Sequence, residues 1–495
     1  MTQTIQVQSP NNEIESSCGT PLVVDLDGTL LRTDLTLETA LRLIKQKPWL
    51  AAWIPFWLLR GRAYLKRRIF RLVQIDASLL PLHEDLLPWL QLEKSRGRRL
   101  VLATGSDHDQ ARAVVQPLAL FDTVLGSDGQ RNLKGRRKLK AIVEECGAQF
   151  DYVGNSRSDL PIWMNCRHSV LVNASGGVQR AARRAANVVR VFPPSGIHFR
   201  DVLRAMRCYQ WVKNLLVFVP VLTSHTIFDW PVAGKASLAF FSFSFCASAA
   251  YIVNDLLDLD EDRLHDTKKN RPFASGRISI GTGIFIAAVC LALSAAIGAW
   301  VSRGFLVALA SYGAFTTLYS LSLKRLLVVD VLTLALLYTL RVVAGNLATG
   351  IVFSVWLLSF AFFLFLSLAF AKRAADLVQR RSGHEKIVPG RGYVETDLEA
   401  VSMAGISSGF LSALVLALYT NSDAVQLLYH RPAFLWGLQP ILLHYIIRLW
   451  VICRRGELTE DPIQYTVRDP STYGAAVLAL LALLAATFDF SFIGS

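Results

Sequence analysis

Residues 254–277, NDLLDLDEDRLHDTKKNRPFASGR, gather carboxylate and basic side chains between two long apolar stretches. Asp255, Asp258 and Asp262 recur at spacings of three and four, so a helix that continues out of the preceding apolar stretch places them on one face. Carboxylates this close repel one another unless a cation joins them. Mg²⁺ prefers oxygen ligands and commonly bridges one or two carboxylates to phosphate oxygens. The spacing therefore favours a magnesium-diphosphate site over a solvated acidic loop, and the basic residues that follow, Lys268, Lys269, Arg271 and Arg277, would clamp the same phosphates.

A second acidic motif lies near the start of the chain. The stretch PLVVDLDGTLLRTD, residues 21–34, reads as a buried strand that ends in Asp25, a loop with Asp27, and then a helix. Similar strands recur at RRLVLATGS, DYVGNS and HSVLVNAS with helical stretches between them, which predicts a doubly wound parallel α/β sheet. In such sheets chemistry gathers at the carboxyl ends of the strands, where Asp25, Thr104 and Asp159 fall.

The composition divides the chain of 495 residues into two halves, because 52% hydrophobic and 18% charged residues is an unusual pairing for a soluble protein. Residues up to about 200 have the composition of a soluble α/β domain. A membrane-crossing helix needs about 20 apolar residues. The second half offers nine candidate spans near 212–229, 234–254, 281–301, 304–322, 326–345, 352–371, 401–420, 433–453 and 473–492.

The distribution of basic residues orients these spans. If the spans alternate, Lys and Arg concentrate in the loops on one side, which the positive-inside rule assigns to the cytoplasm. The N-terminal half then lies on the same side, at the inner (cytoplasmic) membrane. The net charge of +14 follows largely from this bias, and no nucleic-acid-binding module is present in the sequence. Residues 1–19 lack a basic start and an apolar core, so we expect a disordered tail and no secretory signal.

The membrane half resembles the UbiA superfamily of membrane transferases, whose fold is nine helices around a cavity open to the cytoplasm. The resemblance covers roughly residues 200–495 and rests on NDxxDxxxD with a downstream RPxxSG. It implies that magnesium and a diphosphate bind at the acidic loop. The residues that match are Asn254, Asp255, Asp258, Asp262, Arg271, Pro272, Ser275 and Gly276.

Two stretches of the sequence distinguish branches of that superfamily. Aromatic prenyltransferases carry a second DxxxD array, whereas this chain has FAKRAADL, with Lys372 where the first carboxylate would stand, Arg373 next to it, and Asp376 in the second carboxylate position. The stretch RCYQWVKN, with Lys213 and Asn214, resembles the RPxQWxKN signature of the decaprenyl-phosphate phosphoribosyltransferase branch, although Cys208 replaces the proline. That branch joins phosphoribosyl diphosphate to a polyprenyl phosphate. The basic residues that would suit such a substrate include Lys324, Lys372 and Arg373.

Two ionisable residues fall inside the fifth span, where charge is costly and usually functional. Asp330 and Arg341 are eleven positions apart, which is about 16 Å along a helix, so they cannot pair directly. Each therefore needs another partner. For Arg341 two interpretations stay open: contact with a substrate phosphate, or hydrogen bonds to neighbouring helices.

The N-terminal half resembles the haloacid dehalogenase (HAD) phosphatase superfamily over roughly residues 20–195, with a helical cap at about 33–95. The resemblance implies that Asp25 attacks phosphorus, Asp27 acts as acid and base, and Thr104 and Lys138 hold the phosphoryl oxygens. It also implies that Asp25, Asp27 and Asp159 form the magnesium site. Asn155 stands where relatives often have Asp. Within the cap, the apolar run from Pro48 to Leu59 is too short to span, so it either lies in the membrane interface or forms a buried cap helix.

Together these features predict a bifunctional enzyme. Its first step would transfer 5-phosphoribosyl from phosphoribosyl diphosphate to a polyprenyl phosphate, and its second would remove the 5-phosphate to leave polyprenyl-phosphoryl ribose, a cell-wall-precursor type of pentose donor. One alternative is a UbiA prenyltransferase that acts on an aromatic acceptor and carries an accessory phosphatase. Another is a transporter with a regulatory domain, whose acidic residues would be expected nearer mid-membrane. The sequence leaves the lipid chain length and the oligomeric state open.

Overall fold

The computed structural model describes residues 19–194, 196, 198–381, 392–458 and 461–487. The chain divides into two compact units. The N-terminal unit comprises Met1–Ala205 and Asp255–Phe285, and the helical unit comprises Met206–Asn254 and Ile286–Ser495. The acidic loop at 255–277 thus groups with the N-terminal residues. Several parts of the prediction lie outside the described residues. They are the expected tail, two linker positions (195 and 197), two basic loop residues on the predicted cytoplasmic side (Lys386 and Arg391), and the end of the last predicted span.

A six-stranded parallel sheet forms the centre of the N-terminal unit, in the strand order β3-β2-β1-β4-β5-β6. Successive residues of β1 point to opposite faces, so Leu22 and Val24 pack into one buried apolar cluster and Val23 into another. Both faces are covered, as the continuous apolar sequence of the strands requires. The predicted doubly wound sheet is confirmed. Its strands are β1 Leu22–Val24, β2 Leu100–Asp107, β3 Thr123–Ser127, β4 Asp151–Gly154, β5 Ser169–Val172 and β6 Val188–Phe192.

Helices connect these strands, and four of them lie between β1 and β2, where the cap was expected. Asp34 caps the first of these helices, because its side chain accepts a hydrogen bond from the backbone N–H of Leu37. The helices of this unit before residue 206 are α1 Leu35–Gln46, α2 Ile54–Leu59, α3 Arg62–Leu72, α4 Leu86–Ser95, α5 His108–Val115, α6 Arg136–Cys146, α7 Leu160–Trp163, α8 Gly176–Ala185 and α9 Phe199–Ala205.

The apolar run in the cap is exposed. It forms a 3₁₀ segment, Pro48–Trp53, followed by α2. Trp49, Trp53 and Phe56 are 67%, 54% and 61% exposed, and of the bulky side chains in the run Trp57 alone is buried. The buried cap helix is therefore wrong for most of this run. Aromatic side chains next to the basic residues of α3 are typical of a segment that rests in the membrane interface.

The rest of the chain is helical. The remaining helices are α10 Val219–Thr223, α11 Trp230–Leu257, α12 Leu259–Leu264, α13 Ile280–Val301, α14 Arg303–Leu321, α15 Val329–Thr349, α16 Val355–Arg381, α17 Leu398–Thr420, α18 Asp423–Leu428, α19 Leu438–Arg454, α20 Pro462–Arg468 and α21 Pro470–Thr487. Among the described residues, eight helices are long and apolar enough to cross a membrane. They contain α11, α13, α14, α15, α16, α17, α19 and α21. The protein is an integral, multi-pass membrane protein.

The expected first span at 212–229 does not form one long helix. Residues Cys208–Phe218 make a 3₁₀ segment, and α10 adds only one further turn. The ninth span of the prediction is thus unconfirmed. Pro220, at the start of α10, lacks the backbone N–H that a continuous helix would need at that point.

Small residues let the long helices approach closely. A Cβ atom on Gly405 of α17 would lie 2.2 Å from the Trp450 ring of α19, and one on Gly409 would lie 2.7 Å from Ile446. Close backbone approach at small residues is a common way to pack helices in lipid, because the hydrophobic effect does not drive helices together there. This contact helps to form the larger of the apolar cores in the helical unit.

We expect the exposed cap aromatics to contact lipid. In nanodiscs that contain brominated lipids, Trp49→Phe with Trp53→Phe should reduce the lipid-quenched part of the tryptophan fluorescence. The matched control is Trp163→Phe, because Trp163 is buried in the sheet core and should contribute nothing to that part. An unchanged quenched signal in the double variant would remove the interfacial assignment.

Candidate active sites

Asp25 lies at the carboxyl end of β1, next to the central lysine of the cluster. Lys138 Nζ in α6 donates to Asp25 Oδ1 at 2.6 Å, and it lies 3.9 Å from Asp159 Oδ1. Thr29 Oγ1 is 3.5 Å from the other oxygen, Asp25 Oδ2. All four side chains are buried. The structure therefore brings together Asp25, Lys138 and Asp159, as the sequence predicts.

Asp27 is held in a fixed orientation by three donors. Ser106 Oγ donates to Asp27 Oδ2 at 2.6 Å, and Thr104 Oγ1 donates to the same oxygen at 3.3 Å. The backbone N–H of Leu35, the first residue of α1, donates to Asp27 Oδ1 at 2.8 Å. Thr104 thus reaches this cluster as predicted, although it contacts Asp27. Ser106 was not predicted.

Asp159 is oriented by the loop that follows β4. The backbone N–H groups of Asn155 and Ser156 donate to Asp159 Oδ2 at 3.2 and 2.9 Å, and Tyr152 Oη donates to Oδ1 at 3.0 Å. Asn155 packs against Gly28, where a Cβ atom would lie 2.1 Å from Asn155 Nδ2. Gly28 has a φ of +73°, so glycine is required there both by conformation and by space.

Because this cluster is buried, its carboxylates need a positive charge nearby to stay ionised. Desolvation raises the pKa of Asp25 to about 7, even though Lys138 opposes the rise. Desolvation also raises the pKa of Asp27, with a further contribution from Asp34. A raised pKa makes Asp27 a better proton donor than an exposed carboxyl group. A divalent cation would lower the cost of keeping Asp25 ionised, and the carboxylates of Asp25 and Asp159 would supply oxygen ligands of the kind that Mg²⁺ prefers.

A lysine from the cap also reaches this region, and sequence reasoning missed it. Lys66 Nζ in α3 donates to the carbonyl oxygen of Gly105 at 2.5 Å. Burial lowers its pKa, although Asp27 and Asp34 act in the opposite direction. Its neighbour Arg67 donates to the carbonyl oxygen of Asp128. The cap thus places a cation beside the predicted catalytic loop. No sequence motif marks Lys66, because it is one of several basic residues in α3.

The acidic loop differs from the single helix that its spacing predicts. α11 ends at Leu257, Asp258 leaves the helical conformation, and α12 begins at Leu259. On a straight helix Asp255 and Asp262 would lie about 10 Å apart along the axis. In the structure both bond one nitrogen, Arg271 Nη1, at 3.1 and 2.7 Å. The break therefore lets the two carboxylates converge on one cation.

Asp258 faces a different cation. Lys45 Nζ in α1 donates to Asp258 Oδ1 at 2.9 Å and also pairs with Glu261. Burial raises the pKa of Asp262 to about 6, and Arg271 partly offsets that rise. Two converging carboxylates fit a magnesium ion that takes its remaining ligands from diphosphate and water. In the part of the chain that the structure describes, no three His, Cys, Asp or Glu side chains form a metal cluster by themselves.

In the helical unit, two predicted lysines share one carboxylate. Lys213 Nζ and Lys372 Nζ donate to Asp461 Oδ2 at 2.8 and 3.1 Å. Burial acts to raise the pKa of Asp461, but the two lysines more than offset it and hold the pKa well below its usual range. Asp461 lies in EDPIQYTVRD, a stretch that resembles the phosphoribosyltransferase branch but from which no site residue is predicted. It was missed because it lies 248 residues from Lys213.

Arg341 is bound by side chains of its own unit. Its Nε donates to Asn214 Oδ1 at 3.0 Å, and its Nη2 donates to Tyr312 Oη at 3.1 Å. The guanidinium also lies over the rings of Phe243 and Tyr338. Of the two interpretations of Arg341, these contacts favour hydrogen bonds to neighbouring helices. They also place Asn214 beside Arg341, which the sequence spacing did not indicate.

Arg373 is the partner that Asp330 required. Arg373 Nε donates to Asp330 Oδ2 at 2.5 Å, and Tyr393 Oη donates to Asp330 Oδ1 at 2.7 Å. Both members of this ion pair are buried. Arg373 also binds Asp376 at 2.9 Å and Tyr319 at 2.9 Å. These contacts explain Arg373 as a structural residue, and its predicted contact with substrate stays a prediction.

The remaining predicted residues lie at helix ends and turns. Asn254 is in the last turn of α11, Lys268 begins the 3₁₀ turn Lys268–Asn270, and Lys324 is in the 3₁₀ turn Leu323–Arg325. Their proposed contacts with substrate stay predictions.

The comparisons with known proteins identify the class. Residues 215–450 match the UbiA prenyltransferase family, and this part of the chain belongs to that family of membrane transferases. The chain is 34% identical over 469 residues to the uncharacterized protein y4nM of Sinorhizobium fredii. This alignment covers 94% of this chain and 91% of y4nM. The chain is also 32% identical over 290 residues to the nodulation protein NoeC of Azorhizobium caulinodans, across 58% of this chain and 92% of NoeC.

Two further similar proteins have a named activity or a bound ligand. Decaprenyl-phosphate phosphoribosyltransferase of Mycobacterium tuberculosis is 35% identical over 190 residues, which are 37% of this chain. The match spans 62% of that enzyme, less than two thirds of its length. A UbiA homologue from Archaeoglobus fulgidus, bound to GPP and Mg²⁺, aligns with 58% of this chain and 98% of its own at 20% identity, with a TM-score of 0.42.

We expect the Asp330–Arg373 pair to stabilise the helical unit. Arg373→Met leaves the Asp330 carboxylate buried without its cation, which costs about 3 to 5 kcal/mol, so the midpoint of thermal unfolding in detergent should fall markedly. Arg448→Met is the matched control, because Arg448 pairs with Asp469 at a partly exposed position and its loss should cost less than about 1 kcal/mol. Equal midpoints for the two variants would contradict the structural role.

Proposed function

We propose that this protein is a bifunctional membrane enzyme. It transfers the 5-phosphoribosyl group of phosphoribosyl diphosphate to a polyprenyl phosphate, and it then removes the 5-phosphate to give polyprenyl-phosphoryl ribose. The observation that carries this proposal is the cluster of Asp25, Asp27, Lys138 and Asp159 at the strand ends, in a chain whose other half belongs to the UbiA family. A phosphatase fused to a phosphoribosyltransferase would act on the phosphate that the first reaction leaves behind.

The first step is the transfer to lipid. An oxygen of the lipid phosphate attacks the anomeric carbon of the ribose, the bond from that carbon to the diphosphate breaks, and diphosphate leaves. Magnesium held by Asp255 and Asp262, with Asp258, would neutralise charge on the leaving group. A phosphate anion is already nucleophilic, so the step needs no strong general base. Arg271 and Lys268 supply positive charge in the same loop.

The basic residues of the helical unit support a substrate rich in phosphate. Lys213 and Lys372 compete for one carboxylate, Asp461, so together they retain net positive charge. The similarity to decaprenyl-phosphate phosphoribosyltransferase covers only part of each chain, so it supports this substrate assignment without extending to the whole protein.

The second step is hydrolysis of the phosphate ester. Asp25 attacks phosphorus, the bond from phosphorus to the ribose 5-oxygen breaks, and Asp27 gives its proton to that oxygen. Asp27 then takes a proton from water, which attacks the aspartyl phosphate and releases inorganic phosphate. Lys138 stabilises charge on the phosphoryl group. Magnesium bound by the carboxylates of Asp25 and Asp159, close to Asp27, would add Lewis-acid stabilisation.

The family name favours one alternative, a prenyltransferase that moves a polyprenyl group from its diphosphate to an aromatic acceptor. That reaction would use a second acidic metal clamp at the start of FAKRAADL. There Asp376 binds Arg373 at 2.9 Å, and Lys372 binds Asp461, so the position carries an ion-pair network in place of two carboxylates. This arrangement supports the phosphoribosyl reaction. We further propose that both active sites face the cytoplasm, as the distribution of basic residues indicates.

The first step is tested with radiolabelled phosphoribosyl diphosphate and polyprenyl phosphate in the presence of Mg²⁺. Labelled lipid should form with the purified protein, and Asp255→Ala or Asp258→Ala should reduce the rate by about 100-fold or more, because the diphosphate loses its metal. Asp266→Ala is the matched control, since Asp266 belongs to the same loop but is fully exposed. Labelled lipid at the full rate from both metal-site variants would contradict the proposal.

The second step is tested by following the released phosphate. Asp25→Asn should accumulate lipid-linked phosphoribose and reduce phosphate release by about 100-fold or more, because an amide cannot form the aspartyl phosphate. Asp109→Asn, at an exposed position of α5, is the control and should release phosphate normally. Normal phosphate release from Asp25→Asn would exclude the phosphatase assignment.

A further inference from the structure

One face of α1 contacts the acidic loop. Glu38, Arg42 and Lys45 recur at spacings of four and three, so they lie along one side of the helix. Each of them forms an ion pair with the loop. In the first pair the helix supplies the negative charge, and in the others it supplies the positive charge. The pairs are Glu38–Arg263, Arg42–Asp260, and Lys45 with Asp258 and Glu261.

The first of these pairs is buried and has two hydrogen bonds. Arg263 Nη2 and Nη1 donate to the two carboxylate oxygens of Glu38 at 2.6 and 3.2 Å, and Thr33 donates to Glu38 Oε1 at 2.8 Å. Arg263 Nε also binds the carbonyl oxygen of Ala274 at 3.1 Å. A bidentate pair fixes both position and orientation, so this contact sets where α12 lies on α1.

The far end of the loop is fitted to the same unit. Gly276 has a φ of +71°, and a Cβ atom there would lie 2.8 Å from Cβ of Arg32 and 3.4 Å from the ring of Pro81. Arg277 Nη1 lies 3.3 Å from Asp201 Oδ1 in α9. The loop is thus held to this unit at residues 258–263 and again at residues 276–277.

The first residue of α1 contacts the phosphatase cluster, since the N–H of Leu35 binds Asp27. Its last turn contacts Asp258 through Lys45. We infer that α1 is a positioning element for the acidic loop: Glu38, Arg42 and Lys45 hold Asp258 and Asp262 in the arrangement that receives metal and diphosphate. The inference rests on the proposed function, and it makes the transfer step dependent on a helix of the N-terminal unit. Glu38, Arg42 and Lys45 are positioning residues, because they act through the loop.

Arg42 offers the sharpest test, because neither Arg42 nor Asp260 is among the proposed metal ligands. Arg42→Met removes the charge and keeps most of the aliphatic stem, whereas Arg42→Lys keeps the charge. Asp260→Asn removes the same pair from the loop side, where it cannot disturb the sheet. Lys94→Met is the matched control, since it breaks an ion pair with Asp122 elsewhere in this unit.

The first measurement is hydrogen–deuterium exchange of the full-length, metal-free protein in nanodiscs. Peptides that cover residues 258–270 should exchange about fivefold faster in Arg42→Met and Asp260→Asn, while Arg42→Lys and Lys94→Met should match the wild type. Peptides from β1 and β2 should be unchanged in all variants, which shows that the sheet remains folded. Loop exchange that is unaffected by either pair-breaking variant would overturn the inference, whatever reaction the protein catalyses.

The second measurement is transfer of labelled pentose at varied Mg²⁺. Arg42→Met and Asp260→Asn should raise the Mg²⁺ concentration for half-maximal transfer about threefold or more, with recovery in Arg42→Lys, while hydrolysis of a water-soluble phosphate ester stays at the wild-type rate. An unchanged Mg²⁺ requirement together with faster loop exchange would also overturn the inference, because the loop would then be positioned without consequence. Absence of pentose transfer from the wild type would instead count against the proposed function, and the exchange result would still decide the placement of the loop.

Discussion

Carboxylates crowded together at low exposure require a cation, and both proposed active sites are arranged around that requirement. In the acidic loop, Arg271 forms ion pairs with both Asp255 and Asp262, and Lys45 forms an ion pair with Asp258. At the strand ends, Lys138 lies between Asp25 and Asp159. Each group of negative charges already faces a positive group that the chain supplies, and each has the oxygen ligands that a magnesium-bound phosphate would use. In the proposed chemistry, a phosphate-bearing substrate is added to those charges.

The same requirement explains why ion pairs run through regions that are otherwise apolar. Asp330 and Arg373 stabilise each other among buried helices, and Asp461 holds Lys213 together with Lys372. Burying a single unpaired charge costs several kcal/mol, so a chain that keeps basic residues for an anionic substrate must also keep carboxylates near them. A substrate with several phosphates could take over lysines that now share a carboxylate. Arg373, which binds several groups at once, is less available for such an exchange.

Sequence reasoning was most successful where a function depends on local pattern. The strand before DLDGT, the parallel sheet and the acidic loop all follow from short-range spacing, and the structure brings Asp25, Lys138 and Asp159 together as expected. It failed where tertiary contacts decide. Asp258 interrupts the predicted helix, and Lys45 reaches it across 213 residues of sequence. Lys66 has no motif around it, Asp461 lies in a C-terminal stretch to which no site role is assigned from the sequence, and the partner of Asp330 is a charged residue on another helix. The region expected to be the first membrane span contains a 3₁₀ segment. The sequence did not reveal this, because hydropathy measures apolar content and does not specify which backbone hydrogen bonds form.

We propose that one chain performs two consecutive reactions on the same lipid. The decisive experiment measures the stoichiometry of the released anions when the purified wild-type protein is given phosphoribosyl diphosphate, polyprenyl phosphate and Mg²⁺. We expect one inorganic phosphate for each diphosphate, and a lipid product whose mass is that of polyprenyl-phosphoryl ribose. Diphosphate released without phosphate, with a product that retains the 5-phosphate, would exclude the second reaction.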